Sequence, residues 1–234
     1  MRASTIAIVS ILIILLFFAG FTIYGNKVGN FVINVGVNSD VSLALSSYED
    51  LSNQRPRLIY GALTELKDAT YDWLPENIPA RGFGNISDNA NHEFMAFSFY
   101  LINNSSRSVD CDVVMSLVGT VGDPMGMLRI MMIEEEEDTF SGGNRIYAMK
   151  ETSSERKAAL DADLENYRPY DLDGYFLIEE GDSSGKLFSF QLKDLDAGAH
   201  IRYTIVMWLE GCDPDTVNEH IGTRAKLQLD ITGY

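Results

Sequence analysis

The residues able to do chemistry in this chain are two cysteines, three histidines and a few clustered acids. Cys111 and Cys212 permit one disulfide. Closing a loop of about 100 residues would contribute about 4–5 kcal/mol in the chain-entropy model. The bridge requires alpha carbons within about 7 Å. Cys111 alternates in step with Val109, Val113, Met115 and Leu117, so it points toward a core, whereas Cys212 sits in the turn Glu210-Gly-Cys-Asp-Pro-Asp215. Two unpaired thiols are the alternative. The same turn carries Glu210, Asp213, Asp215 and Glu219, and Gly211 and Pro214 bend the chain so that these carboxylates could converge on a hard cation such as calcium. They lack the alternating spacing of a calcium loop. The run Glu134-Glu-Glu-Glu-Asp138 converges less well, because a strand sends successive side chains to opposite faces.

Catalytic patterns are missing. His92-Glu93 begins a zincin motif, but the position that needs the second histidine is Ala96. His92, His200 and His220 are far apart in the chain. There is no G-x-S-x-G, P-loop or dinucleotide fingerprint. These absences point to a non-enzymatic protein without a cofactor; zinc peptidase chemistry would require a site assembled only in space.

The elements that must position these residues begin with a leader. Ile6 to Ile23 carries no charge, and thirteen of its eighteen residues are Ile, Leu, Val or Phe. At the insertion scale this is worth about −4 to −8 kcal/mol. Ser4 to Tyr24 as a helix spans about 31 Å, the thickness of a hydrocarbon core. Residues 1–25 therefore form a signal-anchor helix, with residues 4–24 in the lipid bilayer, or a secretory signal that is cleaved. The exit Ala19-Gly-Phe-Thr-Ile-Tyr-Gly25 shows no clear small-x-small site. Both outcomes export residues 26–234, as a single-pass membrane protein with its C-terminal domain outside or as a secreted one. Without Arg2 the exported part holds 17 Lys and Arg against 34 Asp and Glu, a net of −17. Nucleic acid and anionic lipid head groups would repel such a domain.

Beyond the leader the hydrophobic period is two. Phe31, Ile33, Val35 and Val37 alternate with Val32, Asn34 and Gly36. Leu43 and Leu45 follow, then Arg57–Tyr60. Residues 75–92 are rich in Pro, Gly and Asn and predict a long loop. Phe94 to Ile102 is apolar on both faces, as a central strand covered on two sides would be. Further strands are predicted over 109–117, 127–133, 174–178, 187–192, 199–209 and 225–231. Thr152-Ser-Ser-Glu155 is a capping-box pattern ahead of a helix-forming stretch to Asn166. Trp208 faces away from Ile201, Tyr203, Ile205, Met207 and Leu209, as a partly buried cover of the sheet. Many short strands with turn signals predict a mainly β protein, a jelly-roll-like antiparallel β-sandwich behind one N-terminal helix.

Three stretches carry a family likeness: Phe97-Ser-Phe-Tyr-Leu-Ile-Asn-Asn104, Leu195-Asp-Ala-Gly-Ala199, and Tyr203-Thr-Ile-Val-Met-Trp-Leu-Glu-Gly211 with Asp213-Pro214. Over residues 94–118 and 187–231 the chain resembles the camelysin/TasA-like group of exported bacterial surface and biofilm-matrix proteins. The resemblance implies a jelly-roll sandwich on the cell surface and, for some members, polymerisation by lending an N-terminal strand to a neighbour. Here the donor would be Gly29 to Val37. No catalytic residue transfers. The expectation is thus a structural surface or matrix protein that self-associates or joins matrix proteins. A membrane-anchored cation- or ligand-binding module is the alternative, and a metallopeptidase a further one.

Overall fold

The structure is a computed structural model. It describes residues 31–36, 40–61, 67–69, 74, 84–86, 94–122, 126–135, 144–149, 174–176, 185–210 and 223–234. The leader, the capping-box stretch 152–166, His92, His220, Val37, Cys212, Asp213, Asp215 and Glu219 lie outside these residues. Among the described residues no helix is long and apolar enough to cross a membrane.

Among the described residues thirteen strands form two sheets. They are β1 (Phe31–Val35), β2 (Leu43–Ser46), β3 (Arg57–Tyr60), β4 (Asp68–Ala69), β5 (Gly84–Ile86), β6 (Phe94–Asn103), β7 (Val109–Val121), β8 (Leu128–Glu135), β9 (Asn144–Met149), β10 (Gly174–Phe176), β11 (Lys186–Leu195), β12 (His200–Glu210) and β13 (Arg224–Gly233). A five-stranded sheet runs β11-β7-β13-β1-β3, and a second sheet runs β10-β9-β8-β12-β6-β2, with β5 pairing β6 and β4 pairing β12.

The mainly β expectation holds in an all-β, sandwich-like arrangement of the described residues. Two points differ from the sequence reading. The sheets are mixed rather than antiparallel throughout: β1 pairs β13 in parallel, as β10 pairs β9 and β12 pairs β4. A tight turn forces neighbours in sequence to be antiparallel. β1 and β13 lie at opposite ends of the described chain, so no turn dictates their direction. The second point is the stretch 75–92, which contains β5, three residues paired with β6. So short a strand among Gly and Asn leaves no periodicity to detect.

One core lies between the sheets. Phe97, Phe99 and Leu101 of β6, Ile130 and Met132 of β8, and Tyr203, Ile205 and Met207 of β12 meet Ile33 of β1, Cys111, Val113 and Met115 of β7 and Leu229 and Ile231 of β13. The other face of β6, β8 and β12 buries a second cluster: Phe94, Ala96, Met131, Ile133, Ile146, Val206 and Trp208, with Ala69 of β4. This is why Phe94–Asn103 is apolar on both faces. Trp208 is therefore no partial cover; it is 0 % exposed. Two buried hydroxyls on this face pair with each other, Ser98 Oγ with Thr204 Oγ1 at 3.0 Å.

Candidate functional site

The acids and thiols expected to do chemistry are committed to structure where they are described. Glu210 is buried, and its Oε2 accepts a hydrogen bond from Trp208 Nε1 at 3.0 Å. Residues two apart on a strand share a face, so the indole reaches the carboxylate along β12. Cys111 is a buried free thiol facing the core. Burial, with help from Asp110 and Asp112, pushes it up to about 11. Its candidate partner Cys212 is outside the described residues. Glu134, first of the acidic run, forms an ion pair with Arg145 at 3.7 Å, and that guanidinium lies 4.1 Å over the Phe190 ring. His200 meets Tyr100 edge-on at 5.2 Å. Among the described residues no group of three His, Cys, Asp or Glu could hold a metal.

The candidate donor strand is the more informative place. β1 occupies an interior position of its sheet. Its residues Phe31 to Val35 run parallel to Leu227–Ile231 of β13, and Phe31 to Asn34 run antiparallel to Tyr60–Arg57 of β3. The ladder continues past the strand end through Val35 N to Pro56 O at 2.9 Å and Gly36 N to Ile231 O at 2.7 Å. Phe31, Ile33 and Val35 point into the main core at 2, 0 and 5 % exposure. Burying three such side chains stabilises their seat by about 5–9 kcal/mol. Phe31 stacks on Phe97 at 5.0 Å and on Tyr60 at 6.1 Å, and Tyr60 meets Phe97 at 4.6 Å. On the opposite face Asn34 Nδ2 donates to Asp230 Oδ1 at 2.9 Å, while Gln228 Nε2 donates to the same carboxylate. Register is thus fixed twice, by apolar alternation inside and by one amide–carboxylate contact outside. Val32 is buried on this outer face, apart from both clusters.

A second feature escaped sequence reasoning. Asn103, at the end of β6, is 0 % exposed. Its Nδ2 donates to Arg107 O at 2.8 Å, Leu195 O at 2.9 Å and Asp196 O at 3.0 Å, and its Oδ1 accepts from Ser105 N at 2.9 Å. The backbone adds Asn103 N to Ala199 O and Gly198 N to Asn103 O. Gly198 has φ of +76°, a left-handed conformation that favours glycine. The Asn-Asn turn and the Asp-Ala-Gly turn, read as separate motifs, are therefore one knot joining β6, β11 and β12. Two motifs 90 residues apart in sequence offer no local signal that they touch.

What the fold and this seat define, among the described residues, is a two-sheet, all-β arrangement with its first described strand held inside a sheet. Comparison with protein-family models, curated proteins and solved structures finds no match to this chain.

Proposed function

We propose that the protein is a non-enzymatic, exported structural component of a cell surface or extracellular matrix, held or delivered by its N-terminal leader, and that it assembles by exchanging β1 between copies. The observation that carries this reading is the place of β1. It lies directly after the leader, is bonded on both sides, and fills core positions with Phe31, Ile33 and Val35. A strand of this kind leaves a groove between β13 and β3 when it departs, and the same strand from a second copy fits that groove in the same register. Strand order supports the jelly-roll assignment. Along one sheet β1, β13, β7 and β11 are neighbours, along the other β6, β12, β8 and β9, and among the described strands the chain changes sheets at β1–β2, β2–β3, β3–β4, β6–β7, β7–β8, β10–β11, β11–β12 and β12–β13. The parallel β1–β13 pairing departs from that pattern. It is also the pairing that strand exchange would use.

Two experiments test the proposal. Protease added to intact cells is expected to digest the β domain; protection in whole cells with loss in broken ones contradicts export. Deleting residues 29–37 is expected to abolish assembly; assemblies that persist contradict strand exchange.

A further inference from the structure

The chain contains three Asn-x-Ser triplets: Asn85-Ile-Ser87, Asn103-Asn-Ser105 and Asn104-Ser-Ser106. In an exported protein this triplet is the acceptor pattern for N-linked sugars, provided that the asparagine is on the surface. Two of the three overlap at the β6–β7 turn, and the structure separates them. Asn103 is fully buried and has both amide hydrogens engaged with three backbone carbonyls. A sugar on its Nδ2 would occupy the space of Leu195 and Asp196. The hydroxyl of its triplet is also engaged, since Ser105 Oγ accepts from Ser42 N at 2.9 Å. Asn104 is the reverse case. Its side chain is exposed, and so is Ser106, the hydroxyl residue of its own triplet. Its backbone N donates to Ser42 O at 2.8 Å, which holds the turn against the β2 side of the molecule. Its amide donates one exposed hydrogen bond, to Gln54 Oε1 at 2.8 Å. A glycosylated amide nitrogen keeps one N–H, so that bond survives modification.

We infer that Asn104 is a site of N-linked glycosylation, and that Asn103, one residue earlier, is structurally barred from it; the inference rests on the export proposed above. The donor is an oligosaccharide carried on a polyprenyl phosphate or diphosphate. The bond from the anomeric carbon to Asn104 Nδ2 forms as the bond from that carbon to the phosphate oxygen breaks. The phosphate leaves with the electron pair, and one of the two amide protons passes to a base of the transferase and from there to solvent; nothing is oxidised or reduced. The knot at Asn103 gives the modification a rigid base and directs the sugar outward from the end of the sandwich.

The test uses full-length protein purified from its own cells, with the peptide covering residues 82–107 mapped by electron-transfer fragmentation. A sugar mass on Asn104 and none on Asn103 is expected. Ser106→Ala and Asn104→Gln are expected to remove it, Ser105→Ala to retain it, and Asn104→Gln to leave the melting temperature unchanged. A sugar on Asn103, or loss of modification in Ser105→Ala but not in Ser106→Ala, overturns the assignment. Protease treatment of intact cells separates the two levels. An accessible domain with bare Asn104 overturns the modification alone, and an inaccessible domain overturns export and modification together.

Discussion

Replacing Asn103 with alanine removes one side chain and leaves four backbone groups without their partner. One of the four bonds, to Leu195 O, is fully buried; those to Arg107 O, Asp196 O and Ser105 N are partly buried. A buried group left unsatisfied costs about 1–3 kcal/mol, and partly wet ones much less because water takes over. The expected loss is about 3 kcal/mol, which for a chain of this size lowers the melting temperature by about 6–12 °C. Asn103→Asp separates hydrogen bonding from packing. It keeps an acceptor for Ser105 N but turns a carboxylate oxygen toward the three carbonyls, so it is expected to cost at least as much as alanine. Asn104→Ala breaks only an exposed bond and is expected to change stability by less than about 0.5 kcal/mol. The assay is thermal and urea unfolding of the purified full-length chain in mild detergent. Asn103→Ala within about 0.5 kcal/mol of the parent, or Asn103→Asp more stable than Asn103→Ala, would refute the knot.

Gly233→Ala puts a Cβ at 2.7 Å from Val41 Cγ1, 2.9 Å from Val109 Cγ1 and 3.0 Å from Leu43 Cδ1. Such overpacking is expected to cost about 1–3 kcal/mol in urea unfolding, and Gly233→Val more. Trp208→Phe and Glu210→Ala each remove one partner of the 3.0 Å indole–carboxylate bond, so a double-mutant cycle is expected to give a coupling of about 0.5–3 kcal/mol between them. Alkali is expected to destabilise the fold. Cys111 is raised from 9.0 to about 11, so its contribution of about 3 kcal/mol is intact below pH 9 and lost as pH rises toward 11, because the unfolded thiol releases its proton first. Burial also raises Tyr60 and Tyr203, which add to the loss above their ordinary range. Urea midpoints measured from pH 8 to 10.5 check this, and Cys111→Ala is expected to flatten the profile near pH 9–10.

The sequence makes long, regularly patterned strands plain. The faultless alternation of Ala225, Leu227, Leu229 and Ile231 matches β13, and Arg57–Tyr60 coincides with β3. The two-faced apolarity of Phe94–Ile102 correctly announces cover on both sides, because only a doubly buried strand tolerates it. Three kinds of information were illegible. Strands of two or three residues, β4 and β5, are too short to show a period. Asn144–Met149, an apolar stretch behind the Gly-Gly of residues 142–143, forms β9 without having been foreseen. Contacts between distant segments, such as Asn103 on Leu195 or Trp208 inside a second core rather than over the first, depend on topology that periodicity does not encode. The same reason hid the parallel seat of β1 beside β13.

Strand exchange is tested most directly by paired cysteines at Asn34 and Asp230, whose side chains meet at 2.9 Å across the β1–β13 pair. Placed in a Cys212→Ser background, oxidised on intact cells and run on a non-reducing denaturing gel, this variant is expected to form a covalent ladder of linked copies. A cell-surface protein whose cross-link closes only within single chains, leaving one monomer band, would contradict it.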